Sequence, residues 1–99
     1  MDYLTLDDIK KQCIIEEDFY EDDAYLELLG EAVEQAVDNH IDHHLQDIVV
    51  KNGGDLPKPI KMSMLLMANY LYDNRGTAET EIPNAYYVML QPYIHYPIA

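Results

Sequence analysis

The sequence predicts an all-α domain: a small bundle of about four helices, with a long second helix and an extended C-terminal tail. Apolar residues recur at spacings of three and four along two long stretches, which is the period of an amphipathic helix. The stretches are separated by clusters of glycine, proline and asparagine, which favour turns. A chain of 99 residues without an internal repeat has the length of one domain, so we assign residues 1–99 to a single unit.

The first helix is predicted from Leu6 to Cys13. Thr5 precedes it, and its hydroxyl is placed to accept a hydrogen bond from the backbone N–H of Asp8. Asp7 and Asp8 lie in the first turn, where the helix dipole favours negative charge. An acidic linker follows, from Glu16 to Asp23.

The second helix begins near Asp22, and its apolar stripe predicts that it continues to about Val50. The stripe comprises Leu26, Leu29, Val33, Ala36, Val37, Ile41, Leu45 and Ile48. Gly30 within it costs roughly 1 kcal/mol relative to alanine, which indicates either close packing against a neighbour or a local bend. The sequence Asn-Gly-Gly-Asp at residues 52–55 then breaks the helix.

The third helix is predicted from Pro59 to Asn74, with proline in the first turn, where its missing N–H costs nothing. We expect it to lie antiparallel to the second helix. Their shared core is predicted to contain Leu29, Val33, Val37, Ile41, Met64, Met67, Ala68 and Leu71.

A polar loop is predicted from Gly76 to Glu81. The fourth helix runs from Asn84 to about Leu90, and Pro92 should end it. The remaining segment, Tyr93–Ala99, is too apolar to favour solvent, so extended pairing with another chain or docking in a groove would explain it.

The charge balance limits the partners of this chain. Six basic residues face 19 acidic ones, for a net charge of −13, which repels DNA phosphates and argues against a protein that grips nucleic acid. One cysteine cannot form an internal disulfide, which favours a reducing cytosol. We find no signal peptide and no apolar run long enough to span a membrane, so we predict neither export by a signal peptide nor a membrane partner.

Three histidines on the predicted second helix are weak candidates for metal ligands. His40, His43 and His44 have helical spacing, and Asp47 lies one turn beyond His43, so together they could approach a zinc ion. No second ligand segment and no His-Glu-x-x-His frame accompanies them. The alternative is an amphipathic helix with polar, partly exposed imidazoles, and we predict no metal.

Catalytic motifs are not found in the sequence. Ser63 lacks a Gly-x-Ser-x-Gly setting, and there is no glycine-rich phosphate loop. We therefore predict no catalytic residue, no cofactor and no enzymatic activity.

Tyrosine is unusually frequent in the C-terminal third. The chain has nine tyrosines and no tryptophan, and six of the nine lie from Tyr70 onward. These rings either complete a small core or form a subunit interface, where tyrosine is favoured. For the interface interpretation the candidate residues are Tyr72, Arg75, Tyr86, Tyr93, Ile94, Tyr96 and Ile98.

Four segments carry a resemblance to a known family. The third helix combines a Leu-Pro start at Leu56, a Leu-Leu pair and the sequence Leu71-Tyr-Asp-Asn-Arg75. The others are Tyr3-Leu-Thr-Leu-Asp-Asp-Ile-Lys-Lys11, Glu21-Asp-Asp-Ala-Tyr-Leu-Glu-Leu-Leu29 and Val88-Met-Leu-Gln-Pro-Tyr93. In order and spacing they resemble the head–tail connector (head-completion adaptor) proteins of tailed bacteriophages.

The chain departs from that family's pattern at three places. Gly76 stands where an acidic residue often follows Asn-Arg, and Ile94 stands where a basic residue often follows Pro-Tyr. The connection between the second and third helices is reduced to residues 52–56. These departures concern ring contacts more than the fold.

The resemblance implies a structural subunit of a phage or prophage. Such proteins form a homo-oligomeric ring below the portal, extend the DNA channel, and dock neck or tail completion proteins. Double-stranded DNA passes through without specific binding, and the expected location is the virion neck after assembly in the host cytoplasm. Two other classes stay open at this point: a small bacterial helical protein–protein adaptor, and a metal-binding protein that uses the histidine cluster.

Overall fold

The computed structural model describes residues 1–75 and 82–94, and within these ranges the chain forms five helices and no strand. They are α1 (Leu6–Gln12), α2 (Asp23–His40), α3 (Leu45–Lys51), α4 (Lys58–Asp73) and α5 (Asn84–Ile94). Helix α4 is central, because it packs against α1, α2 and α5. The all-α prediction is confirmed, with one helix more than expected.

Helix α1 begins with the predicted cap. The Thr5 hydroxyl accepts a 3.0 Å hydrogen bond from the Asp8 N–H, and the Asp8 carboxylate accepts a 3.1 Å bond from the Thr5 N–H. This reciprocal capping box satisfies two backbone donors at the start of a short helix. The Asp8 carboxylate also lies 3.5 Å from the Lys61 ammonium, which joins the first turn of α1 to α4.

The prediction that the second helix continues to about Val50 is wrong, because α2 ends at His40 and a separate helix, α3, begins at Leu45. Asp42 and His43 adopt φ of +57° and +64°. The His43 N–H donates to the Asp38 carbonyl at 2.7 Å, and the Asp42 N–H donates to the Asn39 carbonyl at 3.3 Å. This is a Schellman C-terminus with aspartate in the left-handed position, which its short polar side chain tolerates.

The turn between α2 and α3 keeps most of the predicted stripe buried. Ile41, Leu45 and Ile48 are at most 3 % exposed, although they lie on both sides of the turn; Ala36 is exposed instead. The Asp38 carboxylate accepts a 3.2 Å hydrogen bond from the Leu45 N–H, which satisfies a donor at the start of α3. The chain therefore forms two helices here instead of one, and the Asp38 side chain caps the second of them.

Helices α2 and α4 share the predicted core. Seven of its eight residues are buried, and Leu71 is partly buried against them. The last turn of α4 lies beside the first turn of α2, as expected for antiparallel neighbours. Gly30 marks close packing: a Cβ there would collide with the Met1 Sδ and would lie 2.8 Å from the Ile9 Cδ1.

The prediction that Pro92 ends the last helix is also wrong, because α5 continues to Ile94. Pro92 is exposed and lies near the C-terminal end, where loss of one intrahelical donor is tolerated on the solvent side. Tyr93 packs against the core and Ile94 is half-buried, so neither belongs to an extended tail. The rest of the predicted tail, residues 95–99, and the predicted loop from Gly76 to Glu81 lie outside the described residues.

Candidate subunit interface

Tyr72 and Arg75 form one cluster with the start of α2. The Tyr72 hydroxyl donates a 2.8 Å hydrogen bond to the Asp22 carboxylate, and the Arg75 guanidinium lies 3.8 Å from the same carboxylate. The guanidinium also lies 4.3 Å from the centre of the Tyr72 ring and 5.6 Å from that of Tyr25. The hydrogen bond to Asp22 raises the pKa of Tyr72 above its usual value of 10. The cluster fixes the end of α4 against α2.

Tyr86 belongs to the interior of the protomer. It is only 3 % exposed, and burial raises the pKa of its phenol. Its ring meets Tyr87 edge-on, with 5.2 Å between ring centres, and the His40 ring lies within 6 Å of both. Tyr87 is the exposed member of this aromatic group. Of the two adjacent tyrosines, the structure places the predicted interface residue Tyr86 inside the protomer and Tyr87 at its surface.

The candidate metal ligands do not share a helical face. His40 ends α2, His43 lies in the left-handed turn with its Nδ1 3.4 Å from the Asp38 Oδ2, and His44 is the N-cap of α3. Asp47 lies on α3, so the spacing argument for one continuous helix no longer applies. In residues 1–75 and 82–94 we find no group of three or more His, Cys, Asp or Glu side chains that could hold a metal ion.

The acidic linker is held by a buried lysine, a feature that the sequence analysis missed. Lys10 is 4 % exposed, and its ammonium contacts the Asp23 carboxylate at 2.8 Å. It also donates to the carbonyls of Phe19 at 2.8 Å and Glu17 at 3.3 Å, and it lies 5.1 Å from the centre of the Tyr20 ring. We call residues 14–22 the linker loop; Lys10 supplies its internal support.

Ile14 opens the linker loop in a conformation that its side chain disfavours. Its φ is +57° and its side chain is 94 % exposed. The Ile14 N–H donates to the Lys11 carbonyl at 3.3 Å, and the Ile15 N–H donates to the Lys10 carbonyl at 2.8 Å. This is again a Schellman C-terminus, here with a β-branched residue where glycine is usual. No sequence signal announces it.

The turn between α3 and α4 also exposes apolar side chains. Val50 is 68 % exposed and Met62 is 42 % exposed. Gly53 and Gly54 have φ of +76° and +91°, and their N–H groups close a third Schellman C-terminus, on Val50 and Val49. We call residues 50–62 the α3–α4 corner. Leu28 on α2 and Tyr87 and Val88 on α5 are also exposed.

The described residues contain no helix that is both long and apolar enough to cross a membrane.

Comparison with protein families gives a match to the model described as phage gp6-like head-tail connector protein, over residues 3–93. The match runs from the segment before α1 to the last turn of α5, and it includes α1 to α4 in full and all of α5 except Ile94. Comparisons with curated proteins and with solved structures give no significant match.

Proposed function

This chain belongs to the phage gp6-like head-tail connector protein family, a family of structural phage proteins, and from that premise we propose that it is a ring-forming subunit below the portal. The ring would extend the DNA channel and present a docking surface to the next neck or tail protein. Each copy would act as one domain and catalyse no reaction. The location that follows is the virion neck, after assembly in the host cytoplasm.

The observation that carries the proposal is the family match over residues 3–93. The charge of the chain supports the channel role. With 19 acidic residues against six basic ones, a ring of these subunits presents DNA with a repulsive wall. Such a wall lets the duplex slide without specific binding.

The exposed apolar side chains support self-association. Large apolar residues lie at the surface of the linker loop, of the α3–α4 corner and of helices α2 and α5. Exposure of apolar side chains to water is unfavourable, and contact with neighbouring subunits would bury these side chains. Half-buried Tyr93 and Ile94, at the end of α5, together with Tyr96 and Ile98 beyond it, are proposed to contribute a contact with a neighbouring subunit or neck protein.

The test is assembly with and without portal. Purified chain, alone and mixed with portal rings, is examined by native mass spectrometry and negative-stain electron microscopy. We expect closed rings, favoured by high protein concentration, by portal, and by salt, which screens repulsion between copies over a Debye length of about 10 Å at 0.1 M. A chain that stays monomeric on portal at all salt concentrations would contradict the proposal.

A truncation tests the C-terminal segment. Because Tyr93 packs against the core, deletion should begin at His95 and remove residues 95–99 alone. We expect unchanged helical circular dichroism and loss of rings. Normal rings and infectious particles from the truncated chain would show that this segment makes no assembly contact.

A further inference from the structure

We propose that the linker loop of one copy docks on the α3–α4 corner of the next copy, as a head-to-tail contact that repeats around the ring. The proposal rests on the proposed function, because it assumes that copies of this chain associate. It adds the two surfaces that meet and the chemistry that matches them.

Both segments expose large apolar side chains, which we take as the centres of the two surfaces. In the linker loop, Ile14 is 94 % exposed, Tyr20 70 % and Phe19 38 %. In the α3–α4 corner, Val50 is 68 % exposed and Met62 is 42 % exposed. An interface of this kind places apolar and aromatic side chains at its centre and charged side chains at its rim.

The charges around these centres are opposite. The linker loop carries five acidic residues and no basic one: Glu16, Glu17, Asp18, Glu21 and Asp22. Between Ile48 and Tyr72 the chain carries three lysines, at positions 51, 58 and 61, against the single acidic residue Asp55. The Lys61 ammonium already contacts the Asp8 carboxylate of its own protomer at 3.5 Å, so exposed Lys58, at the start of α4, is the charge on which an acidic loop of a second copy meets attraction.

The two surfaces lie at opposite ends of helix α4. The linker loop leads into Asp22, which contacts Tyr72 and Arg75 at the end of α4, whereas the α3–α4 corner leads into Lys58 at its start. A helix of 16 residues is about 24 Å long. Within one copy, the start of α4 and the end of the linker loop are thus separated by most of the length of this helix, and a contact between unlike surfaces of neighbouring copies passes from copy to copy until the ring closes.

The conformation of the loop also indicates a purpose other than stability. A β-branched residue at φ +57° is strained, and full exposure of its side chain gives no compensating burial in the isolated protomer. Lys10 meanwhile fixes the loop through two carbonyls and the Asp23 carboxylate. A loop held in place with an apolar side chain pointing into water is arranged for a partner.

The decisive experiment is a charge swap, read as the subunit concentration for half-maximal assembly on portal rings. Lys58→Glu and Glu17→Lys should each raise this concentration roughly tenfold, and the double variant should restore it. The matched control is Glu27→Lys on α2, which makes the same charge change as Glu17→Lys outside both surfaces. Since it reduces the overall repulsion, it should leave assembly unchanged or improve it. Added salt would screen both the attraction between the two surfaces and the general repulsion between acidic copies. A salt series therefore cannot take the place of the charge-swap variants.

Ile14→Gly gives an independent measurement, because it should stabilise the protomer and at the same time weaken assembly. Relief of backbone strain should raise the melting temperature of the protomer by about 4–8 °C, while loss of the apolar centre should weaken assembly. If wild-type rings form and both single charge variants assemble as well as wild type, the docking contact is wrong and the ring function stands. If the wild type forms no ring on portal, the proposed function and this contact both fail.

Discussion

The Tyr72 hydroxyl donates a 2.8 Å hydrogen bond to the Asp22 carboxylate, joining residues fifty positions apart in the chain. The bond fastens the last turn of α4 to the residue that precedes α2. Arg75 covers the Tyr72 ring and approaches the same carboxylate. The arrangement determines where the linker loop leaves the body of the protein.

Tyr72→Phe removes this hydrogen bond and leaves the ring in place. We expect the free energy of unfolding to fall by about 1 kcal/mol, since a carboxylate acceptor loses its partner. Urea denaturation followed by circular dichroism measures the change. Tyr20→Phe is the control, because that ring is 70 % exposed and should be nearly neutral. In Asp22→Asn the raised pKa of Tyr72 should move back toward 10, seen by absorbance titration; an unchanged titration would contradict the assigned cause.

Glu34→Gln tests the buried carboxylate that holds the N-terminal segment. Glu34 is 7 % exposed and accepts hydrogen bonds from the N–H groups of Asp2, Tyr3 and Leu4 at 2.9, 2.9 and 2.6 Å. A glutamine amide has one acceptor oxygen, so at least one of these donors is left without a partner. We expect a loss of roughly 1–3 kcal/mol in urea unfolding.

The control for Glu34 is Glu27→Gln, an exposed position on the same helix. Hydrogen exchange gives a local measurement, because the amides of residues 2–4 should lose protection in Glu34→Gln before the amides of α4 do. Equal protection of residues 2–4 in both variants would show that the carboxylate does not hold the segment.

Asp38→Ala tests the turn that divides α2 from α3. The carboxylate accepts from the Leu45 N–H, and its removal leaves that donor at the start of α3 unsatisfied. We expect a loss of about 1 kcal/mol, as for other side-chain caps. Asp38→Asn keeps an acceptor oxygen and should retain most of the stability. If the two variants were equally destabilised in thermal melts, charge on residue 38 would matter more than capping.

The capping box at α1 predicts a specific pH dependence. Burial opposes ionisation of Asp8, but the hydrogen bonds from the Thr5 N–H and hydroxyl and the nearby Lys61 ammonium outweigh it, so the pKa of Asp8 is lowered from 3.8. A carboxyl whose folded pKa lies below its unfolded pKa adds stability above the unfolded value, and that stability is lost as pH falls through the folded value.

The corresponding measurement compares wild type with Asp8→Ala by urea unfolding at several pH values. The difference in unfolding free energy should be full at about pH 5 and above, and should shrink as the pH falls below the unfolded value of 3.8 and through the lower folded pKa. A difference that grows on acidification would reverse the sign and contradict the lowered pKa.

The parts of the fold that the sequence predicted are those with local chemical signals. Thr5 and Asp8 indicated where α1 begins, and Gly53 and Gly54 indicated where α3 ends. The apolar period of α2 and α4 identified their shared core. Each of these depends on residues within one turn or one helical period of each other, so the sequence alone carries enough information.

The parts that it did not predict depend on contacts across the fold. The turn at Asp42 and His43 contains neither glycine nor proline, and it is stabilised by Asp38 and by burial on both sides. Lys10 reads as a surface residue of a short amphipathic helix until the linker loop folds over it. Tyr86 and Tyr87 are adjacent in sequence, and only packing of α5 on α4 decides which ring is buried.

Support of the linker loop by Lys10 has a calorimetric consequence. Residues 16–21 are exposed, Phe19 at 38 %, so release of this stretch uncovers little apolar surface beyond part of the Phe19 ring and changes the heat capacity little. Opening of the loop would therefore give almost no heat signal in differential scanning calorimetry, which detects mainly the unfolding of the helices. The side-chain support of this segment comes from the Lys10 ammonium, so the equilibrium between its closed and open forms can shift while the melting temperature of the helices stays constant.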